Sequence, residues 1–286
     1  MRHNRYDIGD DEIRVIGSGR RRRRRRRIIV AVAAAVVVVA ALVWMLVKQH
    51  TIPSQQMAAV EEMENEMYGS VEWQNNADVT KPSCIDVTDT IVDGLHLRIY
   101  TPYNTMPELH IGMLDTTDSD ILLTTMAADL RRDNGKIVGA FVLAGEPLSW
   151  GLSKRGYCAI INGCVTIGVA ENSSLFEQAT EEGGYFFRQY PAVDNGVMVE
   201  NRPANASFRR ALCMFDGKVS LVRCIDRVLM NDFSRALVHL GVSDAILLVG
   251  GYADGWSRNS DGTLDYFGIL PAKEAEYMNY IVFRKQ

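Results

Sequence analysis

Three Asx-Gly dipeptides, Asp93-Gly94, Asn162-Gly163 and Asp216-Gly217, each separate two runs of apolar residues, and nothing else in this 286-residue chain constrains its fold as tightly. A two-residue type I′ turn needs positive φ at both central positions, which Asn, Asp and Gly adopt with least strain, so each dipeptide predicts a β-hairpin. Register then follows by counting. Around Asn162-Gly163, Cys158 faces Ile167 and Cys164 faces Ile161, so the two thiols point to opposite faces. Around Asp216-Gly217, Arg210 faces Arg223, Cys213 faces Ser220 and Cys224 faces Arg209. Cys213 and Cys224 then lie about 13 Å apart along one face. A disulfide needs Cα atoms within about 7 Å, so neither local pair can bridge.

Further strands are expected over LHIGML (109–114), KIVGAFVL (136–143), YFFRQY (185–190), AILLV (245–249) and MNYIVFR (278–284). AILLV is an unbroken apolar run, which implies burial on both faces. DILLTTMAADLRR (120–132) fits strand or helix, turning more helical after Thr124. Ser174 and Glu177 have capping-box spacing for a short helix over LFEQATEE. NDFSRALVHLG reads as a helix capped by Asn231, with Phe233, Ala236, Leu237 and Leu240 as its stripe and Gly241 as its stop. Many strands with few helices predict an α+β fold: a mixed, largely antiparallel sheet with a few helices, preceded by one transmembrane helix.

That helix is expected over residues 28–47, twenty uncharged residues directly after the eight arginines Arg20 to Arg27. At about 1.5 Å per residue they span roughly 30 Å of hydrocarbon. Clustered arginine stays on the cytoplasmic side, which places residues 1–27 in the cytoplasm and the C-terminal body in the periplasm or outside the cell. The apolar run exceeds a signal-peptide core and lacks a small-residue cleavage site, so a retained single-pass anchor is expected. Residues 48–80 read as a stalk, and 81–286 as the globular domain. Residues 51–286 carry 19 Lys and Arg against 31 Asp and Glu. This acidic body argues against nucleic acid as a partner.

The richest segment for chemistry is GGYADGWSRNSDG (250–262), directly after the buried strand. Gly250 and Gly251 would let a ligand approach the backbone. Tyr252 and Trp256 could stack on a sugar, and Asp254 and Arg258 supply charge. It equally reads as a surface turn with one Trp folded onto the core. The facing Arg210 and Arg223 demand something anionic between them, a phosphate or, more in keeping with an acidic chain, an internal carboxylate. There is no GxSxG, HExxH, P-loop or dinucleotide fingerprint, and His96, His110 and His239 have no spaced partner. No metal or cofactor is expected.

From the RRAL strand through DFSRALVHLGVSDAILLVGG, with GAFVLAGEPLSWG upstream and YIVFRK at the end, the chain resembles the phosphodiester glycosidase domain over roughly residues 110–286. That domain occurs in bacterial proteins and in the lysosomal uncovering enzyme that removes N-acetylglucosamine from phosphodiester-linked mannose; the likeness is greatest to a Bacteroides-type branch. The resemblance implies a membrane-anchored glycosidase acting on a sugar-phosphate diester of an extracytoplasmic glycan. By position it puts the family's arginine at Arg209 and its paired glycines at Gly250 and Gly251. The family's Asp before the glycines is Val249 here, and its upstream Asn is Val138. Either the carboxylate has moved, with Asp254 or Asp232 as catalytic candidates beside Arg209, or the domain is a non-catalytic glycan-binding or envelope-organising protein. Arg210, Arg223, Tyr252, Trp256 and Arg258 complete the expected ligand set.

Overall fold

A computed structural model of the protein describes residues 76–202, 204–269, 271 and 275–286. The predicted basic head, membrane span and nearly all of the stalk lie outside the described residues. Among the described residues no helix is long and apolar enough to cross a membrane.

All three predicted hairpins form. β1 (Cys84–Val92) and β2 (Leu95–Tyr103) turn at Asp93-Gly94, β7 (Gly156–Ile161) and β8 (Cys164–Val169) at Asn162-Gly163, and β12 (Ser207–Phe215) and β13 (Lys218–Val228) at Asp216-Gly217. Each turn has positive φ at both residues, 50° and 66° at the last. Two more such turns, Ala144-Gly145 and Asn195-Gly196, join β5 (Ala140–Leu143) to β6 (Glu146–Trp150) and β10 (Pro191–Asp194) to β11 (Val197–Met198). The remaining strands are β3 (Thr105–Ile111), β4 (Ile121–Met126), β9 (Tyr185–Gln189), β14 (Val242–Leu247), β15 (Gly255–Arg258), β16 (Leu264–Tyr266) and β17 (Asn279–Lys285). Helices α1 (Leu175–Glu181) and α2 (Met230–Leu240) are the two among the described residues.

The strands form three sheets, in the orders β1-β2-β13-β12-β14-β10-β11, β16-β15-β4-β17-β3 and β6-β5-β9-β7-β8. Every strand pair among the described residues is antiparallel, so the expectation of a mixed sheet is corrected. Short turns dominate the connections, and a parallel pair would have needed a crossover of a dozen residues or more.

The strand expected at 245–249 starts earlier and ends sooner, as β14, whose last three residues are Ala245 to Leu247 and which lies in the largest sheet between β12 and β10. Its side chains alternate between two cores. Ala245 and Leu247 pack with Phe233, Ala236 and Leu237 of α2. Ile246 and Leu248 face a larger core shared by all three sheets, with Leu123, Phe141, Phe187, Leu212 and Ile281. Burial on both faces explains the uniformly apolar run without any parallel pairing.

Several local expectations change. The stretch after Thr124 is no helix: β4 continues to Met126 between β15 and β17, and an apolar run of that length cannot be separated from a helix by periodicity. The strand expected at 109–114 begins earlier, and Gly112 (φ 99°) ends it. Ser174 makes no side-chain cap on α1. On α2 the N-cap is Leu229, and Asn231 instead accepts a hydrogen bond from the Asn201 N–H at 2.9 Å. Gly241 does end the helix, in the left-handed conformation with φ 96°.

The register around Asn162-Gly163 is the predicted one, with Cys158 opposite Ile167 and Cys164 opposite Ile161. Arg210 pairs with Arg223 and Cys213 with Ser220. Beyond Arg210 the ladder slips, so that Cys224, Ile225 and Asp226 together oppose Arg209, and the predicted Cys224–Arg209 pairing is replaced by a bulge. A bulge bends its strand and re-aims the neighbouring side chains, here at the edge of a cavity. Cys158 and Cys213 are fully buried thiols, pushed well above the ordinary range by desolvation. Peptide mapping of alkylated, non-reduced protein should therefore recover all five cysteines uncoupled. A Cys158–Cys164 or Cys213–Cys224 crosslinked peptide would refute the register as well.

Candidate functional site

Three strands from two sheets converge on one cavity. β14 ends at Leu247, β12 enters beside it through Arg209 and Arg210, and β9 arrives with Gln189. With Asp129 and Arg132 from the segment after β4, and with Tyr190 and Gly250, they line a space of about 330 Å³. Tyr190 also borders a second space of about 540 Å³, which Lys154, Arg155, Glu200 and Arg202 line.

Lys154 stands between the two. Its ammonium bonds the Asp129 carboxylate and donates to Gln189 Oε1 at 2.9 Å, and it lies 4.7 Å from the centre of the Tyr190 ring. Only 6% of its side chain is exposed, and burial pulls its pKa down from the ordinary value. The Lys154 backbone is left-handed, with φ 67°. Such strain at a non-glycine residue persists only where surrounding contacts enforce it. One such contact is the Lys154 carbonyl, which accepts from the buried Arg188 at 3.1 Å.

Arg209 is half-buried. It donates to the carbonyls of Asn205 at 2.5 Å and Val228 at 3.4 Å, both supplied by chain flanking the bulge. Among the described residues no carboxylate bonds it, and desolvation lowers its pKa. Six cations, Arg132, Lys154, Arg155, Arg202, Arg209 and Arg210, thus border the paired cavities against two carboxylates, Asp129 and Glu200. The local excess of cations in an acidic body favours an anionic ligand.

Arg210 is spent on the fold. It is 2% exposed, and its guanidinium donates to Thr125 Oγ1 at 2.7 Å and to the carbonyls of Ala253 (3.0 Å), Phe267 (3.1 Å) and Asp254 (3.3 Å). Desolvation, then repulsion from Arg223, pushes its pKa down to about 10. Phe267 lies beside both arginines, its ring centroid 5.2 Å from each guanidinium carbon. An aromatic face carries negative potential and so relieves the clash. The row continues to Arg98, which pairs with Arg223 across β2 and is neutralised by Asp89 and Asp265.

The other expected residues disperse. Trp256 is fully buried in the core with Met278, Tyr280 and Val282, so the folded-back reading of its segment is the one the structure supports. Arg258 donates to the carbonyls of Thr116, Asp118, Ile121 and Gly262, tying loops together. Asp232 sits on the exposed face of α2 in an ion pair with Arg235. Tyr252 is 65% exposed and packs edge-on against Phe208. The paired glycines serve the backbone: a Cβ on Gly250 would meet the Phe208 carbonyl oxygen at 2.5 Å, and Gly251 (φ 65°) donates to that same oxygen at 2.8 Å.

Asp254 is buried, with Oδ2 accepting from the Tyr280 hydroxyl at 3.2 Å and Oδ1 lacking a partner among the described residues. Desolvation raises its pKa above the ordinary 3.8. The folded state therefore holds this proton more tightly than the unfolded chain does. The associated stability is complete below pH 3.8 and is lost as pH rises through the raised value. Asp254→Asn should accordingly gain stability relative to the parent as pH rises through that window. Urea midpoints across pH 4–7 check this, and a difference independent of pH would remove the buried-charge account.

Sequence reasoning missed Asp129, Arg132, Lys154, Gln189 and Tyr190. The ambiguous strand-or-helix segment over 120–132 concealed the first two, and the others terminate short segments that carry no motif. Among the described residues no cluster of three or more His, Cys, Asp or Glu could hold a metal.

No family model matches the chain, and no curated protein does. Among solved structures, it is similar to the catalytic domain of zebrafish N-acetylglucosamine-1-phosphodiester alpha-N-acetylglucosaminidase, auto-inhibited by its pro-peptide. The match has 13% identity and a TM-score of 0.52, covering 74% of this chain and 86% of that one. A hypothetical protein from Synechocystis matches with 14% identity and a TM-score of 0.45, over 70% of this chain and 62% of that one. At this identity the first likeness shows a shared fold with that catalytic domain and nothing finer.

Proposed function

We propose that the protein acts on a sugar-phosphate diester of a glycan, at the cleft formed by the two cavities that meet at Tyr190. The observation that carries this reading is the excess of cations around that cleft in an otherwise acidic domain. A phosphate leaves readily as an anion, so cleavage needs little acid assistance. It needs a cation for the departing phosphate and a carboxylate for the oxocarbenium-like carbon or the attacking water. Arg209 and Arg132 fit the first role. Asp129, exposed at 38% and oriented by Lys154, fits the second and takes the place of Asp254 and Asp232, which are turned elsewhere. The Tyr190 ring offers a face to a sugar.

Incubation with an N-acetylglucosamine-1-phosphodiester, followed by assay of the released sugar, tests the reading. Release that Asp129→Asn abolishes supports catalysis. Saturable binding without release favours the glycan-binding alternative, and no binding at all sinks both. The membrane anchor belongs to the same proposal: reporters fused at the C-terminus should be active outside the cytoplasm, and activity confined to the cytoplasm would overturn that topology.

A further inference from the structure

We infer a second ligand site, for an acidic sugar, on the face where α1 crosses the sheet containing β5 and β9. A cavity of about 280 Å³ opens there, and Trp150, Leu152, Asn172, Ser174, Glu177 and Arg188 help to line it. It lies outside the cleft described above and rests on different side chains.

Arg188 makes the case. It is 2% exposed, and among the described residues no carboxylate bonds it. A guanidinium has five N–H donors. Nη1 gives two, to the carbonyls of Lys154 at 3.1 Å and Ala170 at 2.9 Å, and Nη2 gives one, to the Glu171 carbonyl at 2.8 Å. Nε is buried without a partner among the described residues. Two donors therefore remain, on Nε and Nη2. Those adjacent nitrogens form the edge of arginine that grips the two oxygens of a carboxylate in parallel. Carbonyls satisfy hydrogen bonds but leave the cation's charge uncancelled, and desolvation lowers its pKa accordingly.

The rim indicates what carries the carboxylate. Trp150 is 67% exposed and Leu152 66%, an apolar pair left in solvent beside Asn172, Ser174 and Glu177. An exposed indole that shares a cavity with amide, hydroxyl and carboxylate groups suits a pyranose, whose C–H face packs on the ring while its hydroxyls bond the polar groups. The volume admits a small ligand only. Glu177 at the rim disfavours a doubly charged phosphate monoester relative to a singly charged carboxylate. A uronic-acid residue meets all these conditions.

The test is titration of the full chain with D-glucuronate, D-galacturonate, glucuronamide and glucose, read by tryptophan fluorescence and by calorimetry. At least one uronate should bind at least tenfold more tightly than glucuronamide and glucose. Trp150→Ala, a change at an exposed position, should weaken that binding at least tenfold and remove the fluorescence response, while Arg209→Ala should leave it unchanged. Arg188→Lys keeps the charge and loses the fork, so it should also abolish the preference for the acid over the amide. If neither uronate outbinds glucuronamide, or if Trp150→Ala leaves uronate binding intact, the site is refuted. Loss of uronate binding in Arg209→Ala would likewise refute it, because the ligand would then belong to the other cleft.

Discussion

Arg210→Met should destabilise the protein by about 3–5 kcal/mol, the range for removing one member of a buried charged network. The side chain is nearly isosteric in its stem, so the loss is not chiefly a cavity. It arises because Thr125 Oγ1 and the carbonyls of Ala253, Asp254 and Phe267 lose their shared donor inside the fold. Each orphaned buried acceptor costs on the order of 1–3 kcal/mol, partly recovered by relaxation. Phe267 would also lose one of its two cationic neighbours. Against a typical domain stability of roughly 5–15 kcal/mol, a loss of this size shifts the urea midpoint severely. A midpoint within experimental error of the parent would show that Arg210 is not the fastener of the 250–268 segment. Tyr252→Ala, at an exposed position on that segment, should be close to neutral and serves as the control.

Arg209→Ala should weaken binding of a sugar-1-phosphodiester by about 1–3 kcal/mol, roughly five-fold to more than a hundred-fold, as expected for a lost charge-assisted hydrogen bond. Binding of the corresponding neutral sugar should barely change, because that ligand places no anion on the guanidinium. The comparison separates the site from the fold: among the described residues Arg209 bonds two carbonyls, Asn205 and Val228, and its removal should leave thermal stability nearly unchanged. Calorimetry with both ligands on both proteins reads the effect directly. An unaltered preference for the phosphorylated ligand would remove Arg209 from the phosphate position and, with it, the assignment of this cleft.

Hairpins were legible in the sequence because they are local. Asn162-Gly163 and Asp216-Gly217 dictate positive φ, the turn dictates the register, and the facing of Arg210 with Arg223 follows from counting alone. α2 was legible for a similar reason: a 3.6-residue stripe and the Gly241 stop lie within eleven residues. The candidate site was legible only in fragments. Arg209, Arg210 and Gly250 stand together at one cavity, yet Trp256, Arg258 and Asp232 go elsewhere, since proximity along the chain says nothing of which sheet face a side chain takes. Phe267 reaches Arg210 and Arg223 from more than forty residues away, and no periodicity anticipates an aromatic ring beside both arginines. Lys154, Asp129 and Gln189 come from three separated segments. Their meeting depends on the order in which sheets stack, which is decided by side-chain packing in the shared core, and burial then turns an ordinary lysine, aspartate and glutamine into one polar cluster.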